Sequence, residues 1–272
     1  MEEAINKTTL AELGACLPVG IQAPEGIVRG FSSRPWKTKD EKEIGKRRKA
    51  NESPGSLVNL ILSYMLSSLG PHEWPEPPVD EKKRAEREFI LSRLFMGDVL
   101  YMFIWLRRDT IGDELALQCR CQQGHDFRFV GSLGSIEVIS CNDPKDLERK
   151  YALRDPFKAR GKDVEAIRYV PPRWGSILRG LESGAASNLS LARPMTVEAC
   201  MVGVNDEPGE FRLIGSELDE MSKRDLEGLT REIDENTVGP LMKIEGTCPK
   251  CSIGFEHPID WRYDSFFAVS SR

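Results

Sequence analysis

Four residues near the C-terminus, Cys248-Pro249-Lys250-Cys251, constrain this chain more than any other stretch. The alternating segment from Met242 to Glu245 leads into them, so two thiols stand at a tight turn reached from a strand. That is half of the donor set a tetrahedral zinc ion takes. A single knuckle supplies only two ligands, and the pair able to complete the set is far upstream, in Leu117-Gln118-Cys119-Arg120-Cys121. Cys119 and Cys121 are one residue closer than in the usual knuckle. The residues therefore leave two solutions open: both thiols ligate across a bulged turn, or Cys121 ligates with His125 while Cys119 packs beneath a hairpin. With Cys119, Cys121, Cys248 and Cys251 on one structural Zn2+, the chain is expected to fold around a split zinc-ribbon-like module. Such a closed set has no open coordination position for water and is not hydrolytic. His257, on the strand beyond the knuckle, is read as a strand residue.

The remaining sequence sets the context for that centre. The chain has 272 residues, 40% of them hydrophobic and 30% charged, with a net charge of -5. This is a globular composition on the polar side, and its sign argues against general nucleic-acid binding. Met1-Glu2-Glu3-Ala4 lacks the basic start and apolar run of a secretory signal, and Ser, Arg and Asp interrupt the stretches Leu57–Leu69 and Phe89–Leu106. A reducing compartment without membrane insertion is the expectation, and there closely spaced cysteines are metal ligands or redox groups rather than disulfides. Cys16, Cys141 and Cys200 are isolated and read as small buried side chains.

The expected fold class is α+β. Residues 1–34, punctuated by Leu17-Pro18, Pro24-Glu25-Gly26 and Gly30, read as an extended arm. Residues 35–113 read as a helical domain. Thr38 or Asp40 starts a charged helix that ends in Lys46-Arg47-Arg48-Lys49. Ser53-Pro54 opens a second helix, with Leu57, Leu60, Ile61, Met65 and Leu69 at helical spacing up to Gly70-Pro71. Asp80 caps a long third helix reaching Arg108, whose apolar row of Ile90, Leu94, Met102 and Leu106 is interrupted by Asp98. The pattern then changes to alternation around Cys119 and Cys121, with Gln122 to Asp126 as a hairpin tip. Residues 114–141 and 242–272 form the split β module. Residues 142–241 form an inserted α/β subdomain, in which Ala166–Val170 reads as a strand and Ser222 or Asp225 caps a helix through Leu226, Leu229 and Ile233. No internal repeat is visible.

Catalytic arrangements are missing from the pattern. Gly131-Ser132, Gly134-Ser135 and Gly215-Ser216 do not extend to a nucleophile elbow, and there is no phosphate loop, no H-E-x-x-H and no dinucleotide fingerprint. His72, His125 and His257 are the only histidines. The expectation is a protein that is not an enzyme. Two other classes compete: a zinc-ribbon nucleic-acid-binding regulator using Lys46–Lys49 with Arg120 and Arg128, and a thiol oxidoreductase using Cys248 and Cys251. The first lacks aromatic residues interleaved with its basic cluster, and the second lacks a βαβ setting.

The order of these pieces resembles the baseplate protein family of T-even-type bacteriophages with contractile tails. The resemblance lies in Leu17-Pro18 with Gly20, Gly26, Val28-Arg29 and the segment Arg34–Glu43, and in Asp80 through Leu106-Arg107-Arg108 and Gly112. It continues in Cys119 and Cys121 before Phe127 and Ile136–Ile139. It closes on Met221, Leu226, Ile233, Gly239, Cys248, Cys251, Phe255, Ile259 and Phe266-Phe267. The resemblance implies a structural or assembly component of the baseplate hub or cap region. It would be made in the host cytoplasm and located in the virion tail. Its partners would be other hub, tube and wedge proteins, with multiple copies in a symmetric assembly and zinc as scaffold.

Overall fold

The computed structural model describes residues 5–47, 53–78, 80–182, 189–208 and 213–259. They form a mixed α+β structure of small antiparallel sheets and helices. The arm expected over residues 1–34 is, from residue 5, part of the body. A strand Ile5–Thr9 leads into a one-turn helix Leu10–Leu13 and a hairpin of strands Cys16–Ala23 and Gly26–Ser33. The proline and glycine punctuation belongs to that hairpin, since Pro24-Glu25 is its two-residue connection and Gly26 takes φ 129. Leu10, Leu17 and Val19 are fully buried, and the Tyr101 hydroxyl donates to the Leu10 carbonyl at 3.2 Å.

The hairpin continues into a four-stranded sheet through Leu66–Leu69 and His72–Glu73. This shortens the second helix to Pro54–Met65. Leu66 and Leu69, in phase with its apolar face, are taken by ladder pairing opposite Ser33 and Phe31 instead. Ser53 caps this helix by accepting the Ser56 amide at 3.1 Å.

The long helix expected from Asp80 to Arg108 is two helices, Glu81–Ser92 and Met96–Ile111. The chain segment around Arg173 divides them. Trp174 N donates to Leu94 O at 2.8 Å, and Met96 N donates to Pro172 O at 2.9 Å, so backbone groups that would close helical turns are used in a tertiary bridge. The second helix therefore starts afresh at Phe95, and Asp98 lies in its first turn. Asp98 is fully buried, and its two carboxylate oxygens accept the Val19 and Gly20 amides at 2.8 and 3.3 Å.

The largest core gathers Leu60, Ile61, Met65, Val99, Met102, Phe103 and Trp174, among others. A second core lies within residues 153–233, where Leu153, Val164, Ile167, Tyr169, Val197, Leu229 and Ile233 pack together. There the strands Arg149–Ala159, Lys162–Tyr169, Met201–Val204 and Glu207–Pro208 form another four-stranded sheet. The strand Arg149–Ala159 had no expectation attached to it. It carries Pro156 and five charged residues and buries only Leu153 and Ala159. The helix expected at its far end is Lys223–Glu235, capped by Ser222, whose hydroxyl accepts the Asp225 amide at 3.2 Å. A three-stranded sheet places Glu137–Cys141 between Ile5–Thr9 and Gly239–Pro240. Among the described residues no helix is long and apolar enough to cross a membrane.

Two hairpins complete the fold: Glu114–Arg120 with Asp126–Ser132, and Lys243–Thr247 with Gly254–Pro258. They approach closely because glycines stand at the contact. A Cβ on Gly131 would lie 2.8 Å from Ile244, and one on Gly246 would lie 2.7 Å from the Phe129 ring.

Candidate metal centre

The two hairpins bring distant cysteines to one point. Each presents its tip to the other, and Cys121, His125, Cys248 and Cys251 offer ligand atoms that all lie within 4.8 Å of one another. Cys121 Sγ is 3.7 Å from Cys251 Sγ and 3.5 Å from His125 Nδ1, while Cys248 Sγ is 4.0 Å from the same nitrogen. A tetrahedron built on metal–sulfur bonds of ~2.3 Å has edges of about 3.8 Å, so this spacing suits a single ion. The arrangement can bind a metal ion.

Local backbone geometry makes the tips. The amide of Cys121 donates to His125 O at 3.1 Å, and that of Gly124 donates to Cys121 O at 2.9 Å, with Gly124 at φ 78. In the second tip Cys248 N donates to Ile253 O at 2.9 Å and Ser252 N to Cys248 O at 2.8 Å. Lys250 ties the tips together by donating from Nζ to Asp126 O at 3.0 Å.

Burial pushes the Cys121 thiol up, but amides of His125 and Gln123 directed at the sulfur outweigh it, and the net shift is downward. Cys248 behaves alike, with the Lys250 and Cys251 amides overcoming its burial. For Cys251 the Ile253 amide pulls the thiol down, but burial and the neighbouring sulfurs of Cys248 and Cys121 raise it on balance. Amides aimed at sulfur favour the thiolate, the form that ligates a cation.

Cys119 is not at this point. It lies on the strand Glu114–Arg120 opposite Phe127, 3% exposed, in an aromatic cluster with Phe127 and Phe255, and its thiol is raised by burial. Of the two solutions left open by the sequence, the geometry has Cys121 with His125, and Cys119 beneath the hairpin. The signal for this was present: Leu115, Leu117 and Cys119 share one face of an alternating strand, and Cys121 is the first residue beyond its ladder. His257 pairs with Ile244 on the last strand, outside the group. His72 stacks on Trp74 with ring centroids 6.3 Å apart. Arg48 and Lys49 of the basic cluster, and Phe266 and Phe267 of the aromatic close, lie outside the described residues.

Under the centre, Phe127 and Phe255 meet edge to face at 5.1 Å, and Phe129 meets Phe255 at the same distance. Comparison of the chain with protein-family models, curated proteins and solved structures returns no match.

Proposed function

We propose that Cys121, His125, Cys248 and Cys251 bind one Zn2+ and that the chain is a structural protein working through contacts with other proteins. The observation that carries this is the convergence of three thiols and an imidazole nitrogen from hairpins more than a hundred residues apart. Three soft sulfur donors and one imidazole in tetrahedral array suit zinc, and four protein ligands leave no position for a reacting water. The hairpin pair is then a split zinc-ribbon-like module.

Taken with the resemblance to T-even-type baseplate proteins, the reading is a structural or assembly component of the hub or cap region of a contractile tail. Its place would be the virion, its partners hub, tube and wedge proteins. Arg120, which the nucleic-acid reading requires, is engaged with Asp126 at 3.2 Å, and the basic helix end Lys46-Arg47 has Lys46 paired with Glu43.

Two measurements test the proposal. Elemental analysis of purified protein is expected to give one zinc per chain. Deletion of the gene from a phage that carries it is expected to leave tails without complete baseplates. Infectious particles with complete baseplates that lack the chain would remove the tail assignment, and metal-free protein would remove the zinc.

A further inference from the structure

Two parts of the chain with little sequence in common are built to the same register. In the first four-stranded sheet Cys16 pairs with Gly30, Ile21 with Val28, Gln22 with Ile27 and Ala23 with Gly26. In the second, Ala152 pairs with Ala166, Phe157 with Val164, Lys158 with Asp163 and Ala159 with Lys162. Residues 16–30 thus recur as 152–166 without insertion, including the unpaired bulge between the first and second pairs. Phe31, Ser32 and Ser33 face Leu69, Ser68 and Leu66. Their counterparts Ile167, Arg168 and Tyr169 face Val204, Gly203 and Met201, with the same slip before the last pair. The edge strands continue the match, since Ser68–Glu73 and Leu69–His72 become Gly203–Pro208 and Val204–Glu207. Each third strand is entered directly from the C-terminal end of a helix, at Met65 or at Cys200.

One interaction is repeated in chemical detail. Asp98 is the third residue of the helix Met96–Ile111 and accepts two successive amides, Val19 and Gly20, from the bulge of its sheet. Asp225 is the third residue of the helix Lys223–Glu235 and accepts Arg154 and Asp155 amides at 2.9 and 3.0 Å from the corresponding bulge. Both aspartates are fully buried. Ahead of each sheet stand a short strand and a single helical turn, Ile5–Thr9 with Leu10–Leu13 and Glu137–Cys141 with Pro144–Leu147. These opening strands pair antiparallel with each other about Lys7 and Ile139, the arrangement a two-fold axis produces.

After each clamped helix comes a hairpin, and each hairpin ends at the metal centre. Cys119 opposite Phe127 corresponds to Gly246 opposite Phe255, and Arg120 opposite Asp126 corresponds to Thr247 opposite Gly254. The next residues are Cys121 and Cys248, both ligands, and each amide donates back across its own loop. The equivalent rings Phe127 and Phe255 meet beneath them.

We infer that the chain is a tandem duplication of one module, and that the centre is an inter-repeat clasp taking two metal ligands from each copy, as a metal closes the interface of a homodimer. This rests on the metal reading above. The clasp joins the ends of two repeats, each of which keeps its own sheet and its own aspartate clamp. The strand position of Cys119 is held in the other copy by Gly246, which explains why a thiol there has no part in the centre.

Hydrogen exchange on the full-length protein, zinc-loaded and after chelation, tests the inference. On metal loss the hairpins over residues 114–132 and 243–258 are expected to lose protection together, while amides of both four-stranded sheets stay protected. Cys121→Ser and Cys248→Ser are expected to lose the metal and give one common exchange pattern. His125→Cys, which copies the second repeat's ligand type into the first, is expected to keep one zinc per chain. Loss of protection in a single hairpin, or spread through either four-stranded sheet, would overturn the clasp while leaving the metal reading intact. Protein that takes up no zinc would overturn both.

Discussion

Cys119 and His125 illustrate how little separates a candidate ligand from a core residue. The pleat of the strand Glu114–Arg120 turns Cys119 inward onto Phe127, while Cys121 and His125 sit beyond the ladder where the backbone is free to aim them. Cys119→Ala is expected to retain the metal and to cost about 1 kcal/mol, as for loss of one buried atom. His125→Ala and Cys121→Ser are expected to lose it, along with much of the ~10 kcal/mol a structural zinc site contributes. Metal content and thermal unfolding measured side by side check this, and metal loss in the Cys119 variant would reverse the assignment. Asp98 offers a separate test. Burial raises its carboxyl to about 7 against the pull of the two amides it accepts. The folded state then holds a proton that the unfolded chain releases, so the stability tied to Asp98 is present in full below pH ~4 and is lost as pH rises through about 7. Wild-type stability minus that of Asp98→Asn should fall across this window, measured by denaturant unfolding. A rising difference would show that the amides hold the carboxylate charged.

Among the helices and strands, starts were legible and ends were not. Ser53, Asp80 and Ser222 each accept an amide three residues on, and this capping chemistry is local enough to read in sequence. The end of the helix at Met65 and the break at Phe95 are imposed by partners: the strand Gly26–Ser33 in one case, the segment around Arg173 in the other. The break also lets the helix Met96–Ile111 dock its first turn on the strand Gly239–Pro240. A Cβ on Gly97 would stand 2.0 Å from Val238 O, a backbone atom that has no room to yield. Gly97→Ala is expected to destabilise the fold by roughly 3 kcal/mol or more, at the severe end for a single substitution. A shift in the urea midpoint measures it, and an unchanged midpoint would mean that the docking is looser than described.

Taken as a whole, the molecule carries a net charge of -5, and near the hairpins Arg120 is paired with Asp126 and Lys243 with Glu245 and Glu256. No retention on DNA or RNA is expected even at low salt. Binding that weakens steeply as salt rises would instead mark phosphate contacts and return the nucleic-acid reading. The second core, built on the charge-rich strand Arg149–Ala159, was the least legible part of the chain, because only Leu153 and Ala159 of that strand are buried and Pro156 interrupts it. For the same reason the equivalence of its sheet with the first escapes the sequence. Leu17 and Leu153, Ala23 and Ala159, and Val28 and Val164 are the identical residues between 16–30 and 152–166. Register and amide clamps carry the rest, and neither needs particular side chains.

What could be read from the residues alone was therefore the chemistry that is local: the Cys248–Cys251 knuckle, the hairpin around Cys121, the helix caps and the mixed α+β composition. Spacing along the chain governs these, and no distant partner can change it. The choice of His125 over Cys119, the division of the helix at Phe95, the packing of residues 5–33 into the body and the facing of the two hairpins depended on tertiary structure. Each turns on which of several locally acceptable conformations lets buried backbone groups and apolar side chains meet partners more than fifty residues away, and that selection is made only when the whole chain packs.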